Sequence, residues 1–295
     1  MQSAFAFARL ALMRVLLVAL ALGIASPSLA EMGKAAVGDI QIACRIQGDG
    51  APLVMIMGYG GTMDDWDPTL LRALERHYQV IIFDNRGIGG TTAGTKPFSI
   101  TQFAQDTAGL LTALNIPQAN ILGWSMGSHI AQELALNAPQ RIDKMVLYAT
   151  QCGGKEAVQN PGTLAAFTDY SGGPIARGQR LLNLILPPEW VKQHKLYLAS
   201  IFIHPFERAS KESVERQYQA NKAWKGTCDR LGAIKTPTFV VAGTDDQATP
   251  PANALIVAER IADAWLAYFR GGGHGMMYQY PEAFAAAIRS FLEAP

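Results

Sequence analysis

The feature that most limits the folds open to this chain is an alternation. From Pro52 onward, short uninterrupted apolar runs take turns with longer stretches of helical periodicity. The runs are residues 53–57, 80–83, 119–122, 144–149, 238–242 and 265–269. A strand that is apolar on both sides of its pleat is covered on both faces, as strands are in a parallel sheet flanked by helices. Between the runs, residues 68–76, 100–114, 128–136, 251–261 and 281–292 repeat apolar side chains at helical spacing. Strand and helix in alternation predict right-handed βαβ crossovers, hence an α/β fold. We expect a mostly parallel sheet of about eight strands with helices on both faces. Val37 and residues 40–46 are expected to add an antiparallel edge.

One stretch interrupts the pattern. Residues 153–230 hold no strand series and turn helical, aromatic and proline-punctuated, with Pro161, Pro174, Pro187, Pro188 and Pro205 cutting them into short pieces. An insertion of this size between two core strands reads as a helical cap. It divides the chain into a first core part at 31–152, a cap at 153–230 and a second core part at 231–295. Residues 1–30 read as a cleavable signal peptide. Arg9 and Arg14 precede an apolar run that is too short to span a bilayer, and small residues end at Ala30. Export to the periplasm or beyond follows, with an uncleaved anchor as the rival reading. In an oxidising compartment Cys152 and Cys228 are expected to pair at the root of the cap, leaving Cys44 as a buried thiol.

Composition narrows the function. Charged residues are 17% and hydrophobic ones 49%, as in a globular enzyme. The formal charge of +1 leaves no basic excess for binding nucleic acid. No cysteine or histidine grouping has metal-ligand spacing, and no glycine cluster fits a nucleotide motif, so neither a metal nor a cofactor is expected.

The chemistry is expected at Gly123-Trp124-Ser125-Met126-Gly127, where a strand-like run ends and a helical segment begins. A sharp turn there strains the serine backbone and presents its hydroxyl, and glycines two residues away on each side avoid a clash. The helix start behind Ser125 adds N–H groups and a positive dipole end where an oxyanion would form. With this setting the chain resembles the α/β-hydrolase family over its whole mature length. The resemblance implies an acid and then a histidine, each after a later strand. Asp246 fills the first place, with Asp245 as the alternative, and His274 fills the second amid glycines. It also implies an oxyanion hole from the backbone N–H groups of Met126 and Tyr59. Tyr59 lies in Met57-Gly58-Tyr59-Gly60-Gly61, where Met57 stands in place of the family's usual histidine. Asp64 and Asp65 read as helix caps. Asp84-Asn85-Arg86-Gly87 resembles a structural turn of the family.

His129, His77, His194 and His204 are weaker candidates for the base. The cap aromatics Phe167, Tyr170, Trp190, Tyr197, Phe202, Phe206 and Trp224 line a pocket or form the cap's own core, and Met126, Met276 and Met277 suggest a soft wall. The expected reaction is hydrolysis of a small, partly apolar ester-like molecule through an acyl-enzyme. An acyltransferase, lactonase, C–C hydrolase or perhydrolase would use the same residues, and an inactive binding protein of this fold is the non-enzyme alternative. The oligomeric state is not legible.

Overall fold

The computed structural model describes residues 31–169, 171–201 and 209–295. The proposed signal peptide lies outside them, as do Tyr170, Phe202, His204 and Phe206.

Eight strands form one sheet: β1 (Glu31–Val37), β2 (Ile40–Gln47), β3 (Ala51–Ile56), β4 (Tyr78–Phe83), β5 (Ala119–Trp124), β6 (Ile142–Tyr148), β7 (Thr238–Gly243) and β8 (Trp265–Phe269). Their spatial order is β1-β2-β4-β3-β5-β6-β7-β8. β1 and β2 pair antiparallel, as do β2 and β4, and every other neighbouring pair is parallel. The sheet is therefore the mostly parallel one that the alternation predicts, with its antiparallel edge at the N-terminal side.

Helices cover both faces. α1 (Pro68–Leu74) and α11 (Pro281–Leu292) lie on one side. α2 (Ile100–Ala113), α3 (Met126–Asn137) and α9 (Ala252–Ala258) lie on the other. The pleat assigns alternate strand residues to the two layers. Val54 and Ile56 join Phe103, Ile130, Leu134 and Val257 on one side. Leu53 and Met55 join Leu70, Leu74, Phe284 and Ile288 on the other.

Between β6 and β7 run α4 (Pro161–Thr168), α5 (Gly173–Ile185), α6 (Pro188–Gln193), α7 (Lys195–Ile201) and α8 (Lys211–Ala223). The short α10 (Met276–Gln279) follows β8. Cys152 and Cys228 form a disulfide across the root of this insertion, with Cα atoms 4.9 Å apart, and Cys44 is a buried thiol outside the bridge. Beside the bridge, Thr227 N–H donates to the Cys152 carbonyl at 2.7 Å. Glu133 of α3 accepts from Arg230 (2.6 Å) and from the Trp224 indole (2.9 Å), so the insertion is also tied to the core through a buried carboxylate.

Two sequence expectations need correction. Asp67, rather than Asp64 or Asp65, caps α1: its carboxylate accepts the Thr69 and Leu70 N–H groups, both at 2.8 Å. Asp64 instead pairs with Arg45, and Asp65 accepts the Thr62 N–H at 2.7 Å, closing a single 3₁₀ turn at Met63–Asp65. Pro68, a favoured first helical residue, sets the boundary of α1 and makes Asp67 its N-cap. Met126, Met276 and Met277 are all buried in the core, and none lines the cavity described below.

Candidate active site

Each component of the site follows the C-terminal end of a parallel strand: Ser125 follows β5, Asp246 follows β7 and His274 follows the edge strand β8. Strand order reverses at β3, whose chain continues outward to β4 while β5 lies on its other flank. Such a switch point leaves a crevice beyond the C-terminal strand ends. Ser125 follows β5 directly and sits at φ 55° and ψ −119°, the strained conformation a strand-to-helix elbow demands. Its N–H donates to the Tyr148 carbonyl at 2.9 Å, anchoring the elbow to β6. The two flanking glycines are both required, for different reasons. A Cβ at position 123 would lie 2.3 Å from the Gly127 carbonyl oxygen, whereas one at 127 would lie 2.0 Å from the Ile56 carbonyl oxygen. The second constraint comes from β3, a neighbour that the elbow pattern does not reveal.

After β3 the chain runs through Met57-Gly58-Tyr59 against the elbow, so close that a Cβ on Gly58 would stand 3.3 Å from the Ser125 Cβ. The loop is held from outside. Asn85 donates to the Met57 carbonyl (3.0 Å), and the Gly60 N–H donates to Gln217 of α8 (2.6 Å). Met57 is fully buried, with its side chain lying under Gly61, so apolar packing occupies the place of a polar side chain. Met126 is the first residue of α3, and the opening N–H groups of a helix have no carbonyl partner inside it.

The structure brings Asp246 and His274 together. Their side chains are 0% and 5% exposed, and the His274 Nδ1 lies 2.8 Å from Asp246 Oδ2 and 3.1 Å from Oδ1. The Asp246 Oδ1 also accepts N–H groups of Ala248 (2.9 Å) and Thr249 (2.7 Å), which keep the carboxylate oriented. Asp245 is exposed and accepts from the Thr244 hydroxyl instead.

The backbone of His274 is pinned as well. Its carbonyl accepts from the Trp124 indole (3.0 Å) and the Tyr148 hydroxyl (2.6 Å). Burial pushes the Tyr148 pKa well above the usual phenol value, so this hydroxyl stays a donor. Neither partner was singled out from sequence. Both end a strand beside the elbow, but nothing in a sequence ties them to a carbonyl more than a hundred residues away.

The other histidines lie elsewhere. His129 is buried, stacked on Trp224 at 4.4 Å, with Nδ1 3.0 Å from the Asn221 Oδ1. Burial lowers its pKa to about 4, so it is neutral at ordinary pH. His194 stacks on Trp190, and His77 meets Arg289. The Asp84 turn is a scaffold: buried Arg86 pairs with Asp39 (2.8 Å) and Asp106 (2.7 Å).

Ser125 and His274 open onto one cavity of about 260 Å³. Met57, Tyr59, Trp124 and Tyr278 line its floor, and Phe167, Arg177, Leu181 and Ile185 enter from the cap helices. Of the aromatics expected to line a pocket, Phe167 does so, edge-on to Tyr59 at 5.4 Å. Trp190 and Tyr197 pack against the core under the cap, and Trp224 covers His129. Among the described residues no cluster of metal-ligating side chains occurs.

Comparison with known proteins agrees with this architecture. Residues 51–174 match the model of the alpha/beta hydrolase fold family, and residues 213–295 match that of TAP-like proteins. A Mycobacterium tuberculosis protein named "Putative non-heme bromoperoxidase BpoC" is 30% identical over 86% of this chain and 98% of its own length. The Azorhizobium caulinodans protein named "Putative carbamate hydrolase RutD" is 27% identical over 86% and 96%. Among solved structures, the enol-lactonase of Burkholderia xenovorans is 28% identical and superposes with a TM-score of 0.77, covering 88% of this chain and all of its own. The chain belongs to the α/β-hydrolase fold family, and it is a hydrolase.

Proposed function

We propose that this protein is a serine hydrolase that cleaves a carboxylic ester of a small, partly apolar molecule through an acyl-enzyme. One observation carries the reading: a strained Ser125 elbow and a buried Asp246–His274 pair open onto the same largely apolar cavity. Asp246 accepts the Nδ1–H of His274, which fixes the tautomer and leaves Nε2 as the base. His274 takes the Ser125 proton as Oγ bonds to the ester carbonyl carbon. The carbonyl oxygen becomes an oxyanion held by the Tyr59 and Met126 N–H groups. His274 then returns the proton to the leaving alkoxide as the C–O bond breaks. Water, deprotonated by the same imidazole, adds to the acyl carbon, and as the acyl C–Oγ bond breaks His274 returns that proton to the Ser125 Oγ, releasing the acid and restoring the free serine and neutral histidine. The three proteins named above carry the names of three different activities, so the choice of ester rests on the apolar cavity and on the reaction that this set of residues serves most simply.

The test is hydrolysis of a panel of nitrophenyl esters by the wild type and by Ser125→Ala. Turnover should fall at least about 10⁴-fold in the variant. Equal, slow rates for the two proteins would refute the reading. We further propose that residues 1–30 direct export and are removed after Ala30, a reading that the Cys152–Cys228 disulfide supports. The N-terminal sequence of the protein recovered from the periplasm or medium should begin at Glu31.

A further inference from the structure

The loop that carries the Tyr59 N–H is held from two sides, and one of them is the cap. That N–H belongs to the Gly58–Tyr59 peptide. The peptide before it is fixed by Asn85, which donates to the Met57 carbonyl at 3.0 Å. The peptide after it is fixed by Gln217 of α8, whose Oε1 accepts the Gly60 N–H at 2.6 Å. Each peptide is a rigid plane, so two held planes leave the one between them little freedom to turn. Local packing adds less. Gly60 has φ +70°, and a Cβ on it would touch nothing within 4 Å. Across the turn, the Gly61 N–H stands 3.4 Å from the Gly58 carbonyl oxygen.

α8 is itself anchored. Gln217 and Asn221 lie at i and i+4 on one face of the helix. The Asn221 Oδ1 is 3.0 Å from Nδ1 of His129 in α3, the helix that begins at the elbow. Just past the end of α8, the Trp224 indole donates to Glu133 of the same helix at 2.9 Å. α8 therefore couples the Tyr59 loop to the helix behind Ser125. Gln217 is fully buried, and its Nε2 has no hydrogen-bond partner among the described residues. An orphaned buried donor costs about 1–3 kcal/mol, so the amide half of this side chain weakens the fold while its oxygen holds the loop.

We infer that Gln217 is a positioning residue: it aims the Tyr59 N–H at the oxyanion and makes turnover depend on the docking of α8. This inference rests on the serine-hydrolase reading above and on the role that reading gives the Tyr59 N–H. Val214, one turn before Gln217, lines the cavity, whereas Gln217 does not. Its loss should therefore act on the transition state and leave substrate binding alone.

The experiment assays wild type, Gln217→Met and Gln217→Glu on 4-nitrophenyl butyrate, beside a Ser125→Ala baseline. Methionine removes both the acceptor and the orphaned amide at similar length. Glutamate, which burial favours in its protonated form, keeps a carbonyl acceptor. Inhibition by 1,1,1-trifluoro-2-hexanone is measured with each protein. Ser125 Oγ adds to the ketone carbon, His274 takes the proton, and the ketone oxygen becomes an oxyanion that does not turn over. Losing one oxyanion donor costs about 10²–10³ in kcat, and turning one aside costs less. Gln217→Met should lower kcat by about 10- to 100-fold with KM within about threefold, and weaken inhibition by a similar factor. The lost hydrogen bond and the lost orphan offset one another, so its melting temperature should stay within about 3 °C of the wild type. Gln217→Glu should recover part of kcat. Gln217→Leu takes the place of Gln217→Met should the latter fail to fold. A kcat within about threefold of the wild type, or a fall in kcat that leaves the inhibition constant unchanged, overturns the role of Gln217 and leaves the hydrolase reading standing. If the wild type hydrolyses the ester no faster than Ser125→Ala, the hydrolase reading fails for this ester, and calorimetric binding of the trifluoromethyl ketone decides the role. Weaker binding by Gln217→Met than by wild type supports it, and equal binding or none overturns it.

Discussion

Replacing Asp246 by asparagine perturbs the site with almost no change of shape, and its cost can be worked out from the hydrogen bonds. The carboxylate has two demands on it. One oxygen accepts the Ala248 and Thr249 N–H groups, and the other accepts from His274 Nδ1 at 2.8 Å. An asparagine has one acceptor oxygen. If that oxygen takes the two backbone donors, the amide NH₂ faces Nδ1 and forces the tautomer in which Nε2 carries the proton. That histidine cannot accept a proton from Ser125. If the oxygen faces His274, the NH₂ confronts two N–H groups in a buried loop, at a cost of about 1–3 kcal/mol. The first arrangement should win. We therefore expect kcat to fall about 10⁴-fold, equivalent to about 5.5 kcal/mol of transition-state stabilisation, with little change in KM. Steady-state kinetics on a nitrophenyl ester, against a Ser125→Ala baseline, measure it. A loss under about tenfold, in a variant of unchanged melting temperature, would show that the carboxylate does not set the imidazole tautomer.

Three other perturbations follow from the geometry. Removing the disulfide with Cys152→Ala and Cys228→Ala opens a loop of sequence separation 76. On the chain-entropy model this costs at most about 4–5 kcal/mol, so the melting temperature should drop by about 10 °C; a change under about 2 °C would show that the bridge does not constrain the unfolded chain. His129 has its folded pKa lowered by burial to about 4, against 6.5 in the unfolded chain. Its penalty on stability is therefore absent above pH 6.5 and grows as pH falls toward 4, to about 3 kcal/mol. Urea denaturation of His129→Gln should lack that share of the acid slope, and an identical slope would contradict the burial argument. Finally, Gly127→Ala should abolish activity or folding, because the methyl would meet the Ile56 carbonyl at 2.0 Å, whereas Gly232→Ala, whose nearest atom is at 3.8 Å, should be tolerated. Soluble yield and ester turnover of the pair decide it.

How much of this was legible in the sequence depended on the range of the interaction involved. The alternation predicts the sheet because each strand and helix declares its own period locally, and residues 281–292 even match the bounds of α11. The elbow declares itself because its strain is resolved within five residues. What the sequence conceals is contact across the fold. Gly127 is needed because of Ile56 on a neighbouring strand, and the His274 carbonyl is held by Trp124 and Tyr148. Gln217 reaches from α8 to the Gly60 amide, 157 residues away. Asp64, Asp65 and Asp67 all precede the helix, and only the position of Pro68 marks Asp67 as its cap. The cap was recognisable by composition alone. Its inward-facing residues, Arg177 among them, depend on how α5 docks over the site, which no local pattern encodes.

We propose that Ser125, activated by His274, forms a covalent acyl-enzyme. Rapid quenching during turnover of a slowly deacylating ester, followed by peptide mass spectrometry, tests it most directly. The mass of the acyl group should appear on the peptide holding Ser125 in the wild type and be missing in both Ser125→Ala and His274→Ala. Turnover without any acyl adduct, or an adduct on another residue, would contradict it.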